Sequence, residues 1–299
     1  MKLFSFITRE RQVRIGIVLE NQAYDFTRIF EMFKDIQGQH RFPELTFIQV
    51  MIELGFFNRD DIMEIVSTVQ NLRSLNDLKI PQPIQYDVPV ARPQKIICLG
   101  RNYRKHAAEF NNPVPEEPII FAKMPSSLLP HGGQIVLPRQ IGRVDHEIEL
   151  AVVIGKAGKN IAESKAYDYV AGYSILNDVS ARALQIKDIE NKLPWLRSKS
   201  LDTFCPMGPY LVPHAAVSNP HQLAISLKVN DTIRQESNTS FMIFKIPEII
   251  HFISRYMTLA PGDIIATGTP EGVSELHPGD IVTGEIDEVG MLENLVVAE

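Results

Sequence analysis

Cysteine is scarce in this chain: Cys98 and Cys205 are its only two among 299 residues. Two are too few for a disulfide framework, and with no secretory leader legible both are expected to be reduced and buried. The opening "MKLFSFITRERQVR" brings in arginine too early for a secretory apolar core and reads as an amphipathic first strand. No run approaches the roughly 20 apolar residues that a membrane-spanning helix needs. Positive charge is also in deficit. Thirty Lys and Arg face 36 Asp and Glu, a formal net charge of −6, so nothing draws the chain generally to nucleic acid or anionic lipid. A cytoplasmic protein with neither nucleic acid nor membrane among its partners is the expectation. What remains is ordinary globular material, 44% hydrophobic and 22% charged, enough for one large domain or a large and a small one.

Residues 1–80 read as a small α+β domain. "VRIGIVLENQAYDFT" is expected to form a hairpin turning at Glu20 and Asn21. Leu45, Ile48 and Ile52 recur at helical spacing, and Ile62, Ile65, Val66, Val69 and Leu72 form a second helical stripe. Nothing there converges on chemistry, so packing, or binding a protein partner, is the expected role. Prolines at 81, 83, 89 and 93 mark residues 81–93 as a connector, since proline removes amide donors and favours extended backbone. Residues 94–299 are strand-rich: "KIICLG", "PIIFAK", "EIELAVVIG", "AGYSILND", "LAISLKVN", "DIIATGT" and "DIVTGEID". The clearest helix is "IPEIIHFISRYM", with Pro247 in its first turn. "PGDII" at 261 and "PGDIV" at 278 suggest one turn chemistry used twice. The fold class is α+β, mostly β, with the larger part a barrel or rolled sandwich.

Four segments carry candidate chemistry. In "VDHEIELAVVIG", Glu147 and Glu149 sit two apart, so both leave one face of an otherwise apolar strand. An exposed edge strand would account for the pair. A buried one would need a divalent cation, because neighbouring carboxylates cannot comfortably both ionise. Asp178, closing "AGYSILND", is a third ligand candidate; His146 points to the other face, and "HEIEL" lacks the second histidine of a zinc-protease motif. In "GRNYRKHAAEF", Asn102 is a possible cap for a short helix that "NNP" at 111–113 ends, with His106 and Glu109 three apart on one face. That pair suits a general base or an ordinary surface contact equally. "NNPVPEEP" has the composition of a mobile flap. Lys123 and Lys199 would pass for surface lysines on their own. "ATGTPEGV" offers hydroxyls and amides to a carboxylate, or only a turn.

Taken together, "GRNYRKHAAE", "PIIFAK", "HEIELAVVIGK", "AGYSILNDVSARALQ", "KSLDTFCPMGP" and "TGTPEGV" resemble the fumarylacetoacetate hydrolase family in order and approximate spacing over residues 93–299. The resemblance implies a rolled mixed β-sheet catalytic domain, a homodimer, and one Mg²⁺ or Mn²⁺ per chain. It places metal ligands at Glu147, Glu149 and Asp178, a lid dyad at His106 and Glu109, and a catalytic lysine at Lys199. Arg182 and Gln185 match residues at the 2-oxo acid end of the substrate, Thr269 a carboxylate-binding threonine, and Arg101, Tyr103 and Lys123 further pocket residues. The animal fumarylacetoacetate-cleaving enzymes place a fourth acidic ligand before the lid histidine. "CLGRNY" supplies none here, which favours the acylpyruvate hydrolase and oxaloacetate decarboxylase branch.

The expected activity is metal-dependent cleavage of a carbon–carbon bond in a 2,4-dioxo acid, or loss of CO₂ from oxaloacetate, through an enolate. Lys199 would face the developing negative charge, and His106, oriented by Glu109, would activate water. The alternatives are a hydroxymuconate-type isomerase or decarboxylase of aromatic catabolism, and a scaffold that binds a protein partner through residues 1–80.

Overall fold

The computed structural model describes residues 1–38, 44–109 and 113–299. Its organising element is the strand Ile148–Ile154, buried at every position. Strand side chains alternate between faces, and here both faces meet apolar layers. Leu150, Val152 and Ile154 join the core between two sheets, whereas Ala151 and Val153 join a second core that includes Ile29, Ile48, Ile62 and Val66 of the N-terminal helices. A continuous apolar run is what such a central position requires.

Among the described residues, the larger sheet has ten strands. Its main path runs Gln22–Asp25, Val13–Leu19, Lys2–Ile7, Tyr210–Pro213, Val170–Asn177, Ile148–Ile154, Ile264–Ala266, Ile96–Gly100 and Ile119–Lys123, with Tyr86–Asp87 added to Lys2–Ile7. Pairing is antiparallel except between Ile264–Ala266 and Ile96–Gly100. The smaller sheet runs Thr232–Asn238, Ala224–Val229, Ile281–Ile286, Gly290–Ala298 and Gln134–Leu137. Helix Ile246–Tyr256 starts with proline in its first turn and sends Ile246, Ile249, Ile250 and Ile253 into the core between the sheets. The result is a sheet-rich α+β fold.

The N-terminal segment is built into this sheet. Strand Lys2–Ile7 pairs with Tyr210–Pro213 on one side and Val13–Leu19 on the other. It is therefore not amphipathic: Leu3 faces the helices, Phe4 and Phe6 pack into a small aromatic cluster opposite, and all three are buried. Residues 81–93 do more than connect, since Tyr86–Asp87 pairs with Phe6 and Ser5 and Val90 is fully buried. The apolar stripes of the helices Ile48–Glu53 and Arg59–Gln70 are spent on the outer face of the sheet, as packing would require. Leu72 lies beyond the second helix and is exposed.

Local turn chemistry follows the sequence closely. The two "PGD" segments close in the same way: Asp263 accepts from the amide of Ala260, and Asp280 from that of His277, each at 2.7 Å. The hairpin turn places Glu20 at φ 47° and Asn21 at φ 65°, the left-handed pair of a type I′ turn. Glutamate is the poorer fit there, because its Cβ crowds the backbone at a cost of about 1 kcal/mol. Glu20→Gly is expected to raise stability by roughly 0.5–1 kcal/mol, read from the urea midpoint. An unchanged or lower midpoint would show that the turn carries no such strain.

Candidate active site

Register assembles the site. Strand Ile148–Ile154 pairs with Val170–Asn177 so that Ile148 lies opposite Asn177. The next residues outward, Glu147 and Asp178, therefore also face each other, and the Asp178 amide donates to the Glu147 carbonyl at 2.7 Å. The Glu147 amide donates to the Asn177 side-chain oxygen at 2.8 Å, which fixes the strand end. Glu149 follows on the same pleat as Glu147. One oxygen from each of Glu147, Glu149 and Asp178 can be chosen so that all lie within 4.8 Å of one another, and all three residues are buried.

Cations are distributed unequally around these acids. Lys199 Nζ lies 2.7 Å from Glu147 Oε2 and 2.7 Å from Asp178 Oδ2. Lys123 Nζ donates to Asp178 Oδ1 at 2.6 Å and to the Val179 carbonyl at 3.2 Å. Arg182 pairs with the other oxygen of Glu147, donates from a second nitrogen to the Gln185 carbonyl, and holds Asp145 through Nε at 2.8 Å. Among the described residues, Glu149 receives only the Gly268 amide, at 2.7 Å, and no cation forms an ion pair with it.

These surroundings push the two glutamates in opposite directions. Burial alone would raise Glu147, but Lys199 and Arg182 overcome it and hold the carboxyl well below the usual range. Burial, reinforced by the charges of Asp178 and Glu147, drives Glu149 well above that range. Burial also opposes the charge on Lys199, yet Asp178 and Glu147 keep its value above that of an ordinary lysine. A buried carboxylate that lacks a cation, beside two more carboxylates, is the donor set that suits a hard divalent ion. The ion pairs do not exhaust it, because each carboxylate oxygen keeps a second lone pair.

At the mouth, helix Arg104–Glu109 brings His106 Nδ1 to 3.3 Å from Glu109 Oε2. Glu109 also accepts from the Gly272 amide at 3.1 Å, so the helix is tied to the "TGTPEG" loop. The stop expected at "NNP" lies mostly outside the described residues, as does the start of the "NNPVPEEP" segment. Asn102 caps no helix. Its amide donates to the carbonyls of Thr267 (2.8 Å) and Phe244 (3.1 Å), and its oxygen accepts from the Phe244 amide at 2.8 Å, joining this segment to the two that flank it.

Of the residues singled out from sequence, Arg101, His106, Glu147, Arg182, Gln185, Lys199 and Thr269 line one cleft, whose apolar wall includes Phe121, Ile186 and Trp195. Glu149 and Asp178 lie buried beside Glu147 at its floor. Lys123 does not line the cleft; it is fully buried against Asp178. Tyr103 is also buried and borders a separate depression with Phe241 and Met242, its hydroxyl unpartnered among the described residues. Arg182 reaches the cleft but is committed to Asp145, Glu147 and Gln185. Sequence reading passed over Asp145, Asn177 and Gln235, which hold this machinery in place. Asn177 had a signal, because it ends the apolar strand Val170–Asn177 beside Asp178; Asp145, in the two-residue strand Val144–Asp145, and Gln235 had none.

A family model described as fumarylacetoacetate (FAA) hydrolase C-terminal matches residues 95–297. The chain is 48% identical over 216 residues to the protein named oxaloacetate tautomerase fahd2, mitochondrial, from Xenopus laevis, a match covering 70% of this chain and 67% of that protein. Its structure is similar to that of a fumarylacetoacetate hydrolase from psychrophilic Exiguobacterium antarcticum, with a TM-score of 0.81, 31% identity and 100% of both chains covered. It is also similar to maleylpyruvate hydrolase from Sphingobium sp. SYK-6 in complex with manganese(II) ion and pyruvate, with a TM-score of 0.76, 33% identity, and coverage of 100% of this chain and 99% of that one. Both structural matches extend through the N-terminal 80 residues.

The asymmetry between the glutamates predicts opposite outcomes for one substitution. In metal-free protein, Glu149→Gln should stabilise by about 1 kcal/mol at pH 8, because it relieves the cost that burial beside two other carboxylates places on that group. Glu147→Gln should destabilise by about 3 kcal/mol, because it strips a carboxylate from two buried cations. The pH dependence follows the sign of the Glu149 shift. A carboxyl raised on folding contributes stability below its unfolded value of about 4.3, and this is lost as pH rises through the folded value. Thermal unfolding in chelator should therefore show the wild type losing stability over that window and Glu149→Gln losing less. Equal slopes would contradict the assignment.

Proposed function

This chain belongs to the fumarylacetoacetate hydrolase family, and we propose that it cleaves a carbon–carbon bond in 2,4-dioxo acids of the acylpyruvate type. The observation that carries this reading is the convergence of three buried carboxylates and Lys199 on the floor of a cleft whose mouth holds the His106–Glu109 pair. The likeness to a maleylpyruvate hydrolase over the whole chain supports it.

Glu147, Glu149 and Asp178 would hold the divalent cation, which supplies Lewis-acid polarisation of the 2-oxo acid. Charge at the floor suits that role. Asp145, Glu147, Glu149 and Asp178 are matched by Lys123, Arg143, Arg182 and Lys199, so the cluster is formally neutral without an ion. A dication leaves it positive, complementary to a substrate that gains a second negative charge during the reaction. Gln185 and Thr269 would orient the substrate carboxylate. Lys199, kept protonated by two carboxylates, would face the oxygen on which negative charge develops. His106 would take a proton from water through its ring nitrogen while Glu109 and the Gly272 amide fix the helix that carries it. Hydroxide adds to C4, the C3–C4 bond breaks with its electron pair going to C3, and C3 then accepts a proton. The products are a carboxylic acid and pyruvate.

A second reading is keto–enol tautomerisation of oxaloacetate, favoured by the 48% identity to a protein of that name. It uses the same floor but only moves a proton between C3 and the 2-oxo oxygen. Loss of CO₂ from oxaloacetate likewise needs no water. A panel of acetylpyruvate, fumarylpyruvate and oxaloacetate with Mg²⁺ or Mn²⁺ separates the readings by product. Pyruvate with the matching acid supports hydrolysis, whereas enol interconversion of oxaloacetate without cleavage of any acylpyruvate replaces it with the second reading. His106→Ala should lower acylpyruvate hydrolysis by ~10²–10⁴-fold and oxaloacetate decarboxylation far less. Equal losses would remove the water-activating role.

A further inference from the structure

Strand Thr232–Asn238 lies at the edge of the smaller sheet, and its one buried residue is polar: Gln235, wholly inaccessible. Its amide carbonyl accepts from the Ile148 backbone amide at 3.1 Å and faces His146 Nδ1 at 2.9 Å. Its amide nitrogen is 2.8 Å from Thr269 Oγ1 and 2.8 Å from the Pro270 carbonyl. The orientation is settled by chemistry, because a backbone N–H only donates and a carbonyl only accepts. Oε1 must face Ile148, and the NH₂ must face Pro270 and Thr269.

Two consequences follow. A hydroxyl carries one proton, so Thr269, accepting from Gln235, must direct that proton elsewhere. Among the described residues no protein atom receives it, and Thr269 lines the cleft. Ile148 is also the residue between Glu147 and Glu149. One amide therefore spans the acidic pair and the loop opposite, whose Gly268 donates to Glu149 and whose Gly272 donates to Glu109.

We propose that Gln235 is a positioning residue that turns the Thr269 hydroxyl into a fixed hydrogen-bond donor for the carboxylate of a bound 2-oxo acid. This rests on the proposed 2-oxo acid site and adds the element that gives its threonine a direction. Gln235 touches neither substrate nor metal ligand side chains; it acts through Thr269.

A double-mutant cycle tests it, using calorimetric affinity for pyruvate in Mn²⁺-loaded full-length protein, with KM and kcat alongside. Gln235→Met and Thr269→Val should each weaken pyruvate binding roughly tenfold, the worth of one well-directed hydrogen bond. The double variant should bind no worse than Thr269→Val alone. Mn²⁺ affinity should stay within about twofold, and the loss should fall mainly on KM rather than kcat. Thr269→Ser keeps the hydroxyl and should retain both binding and sensitivity to Gln235→Met. Additive losses in the cycle, or a Gln235→Met effect of full size in the Thr269→Val background, would overturn the proposal even if that variant is also less stable. Gln235→Glu gives a second arm. A protonated acid donates to Thr269 as the amide does, whereas the carboxylate takes the threonine proton, so pyruvate affinity should fall with rising pH in this variant alone. A slope equal to that of the wild type would count against the role. Wild-type protein that binds Mn²⁺ but no 2-oxo acid would bring down the proposed function itself, an outcome distinct from additive losses in a protein that does bind one.

Discussion

Three carboxylates held within 4.8 Å of one another in the interior of the protein are the constraint around which the remainder is arranged. Water cannot screen them there, and like charges this close oppose joint ionisation. The fold meets the problem with Lys199 bridging Glu147 and Asp178, Lys123 behind Asp178, and Arg182 spanning Glu147 and Asp145. Among the described residues, Glu149 is left with a single backbone amide. Such a cluster is a weak source of stability, since buried ion pairs rarely recover their desolvation cost in full. What it provides is a place that an added dication completes and from which its charge reaches a ligand.

The loop from Thr267 to Ser274 is the joint that couples these carboxylates to helix Arg104–Glu109. Thr267 donates to the Leu150 carbonyl, Gly268 to Glu149, Gly272 to Glu109, and Gln235 reaches Thr269 and Pro270. Glycine is required at 272, where φ is +96° and a Cβ would lie 2.0 Å from the Arg234 carbonyl oxygen. Each attachment uses a different residue of one short segment. A shift of that segment would therefore move Glu149, Thr269 and Glu109 together.

Much of this was readable in the residues, and what was not has identifiable physical causes. Glu147 and Glu149 could be placed on one face of a buried strand because alternation and an uninterrupted apolar run are both local signals. The Glu20–Asn21 turn, the proline-led helix at 246 and the repeated "PGD" closure are local in the same sense. The burial of Lys123 and Lys199 is not, because it depends on partners 55 and 52 residues away in sequence. Gln235 sits in an otherwise exposed strand and gains its meaning from Ile148 and Thr269, 87 and 34 residues distant. Asn102 lies one residue before the cap position of helix Arg104–Glu109, and its side-chain oxygen is taken by the Phe244 amide, 142 residues away. Helix Phe26–Gln37, capped by Asp25 and burying Phe26, Ile29 and Phe30, had a usable signal that the hairpin reading overran. The N-terminal strands looked separable because proline marks residues 81–93, but pairing between Leu3 and Leu211 cannot be seen in either segment alone.

The most direct measurement is an anomalous difference map, collected at the manganese edge, from a crystal soaked in Mn²⁺. A metal centre at the three carboxylates predicts one strong peak per chain, within coordinating distance of oxygens from Glu147, Glu149 and Asp178. A map with no peak among those three residues, or with manganese bound only elsewhere, would contradict it.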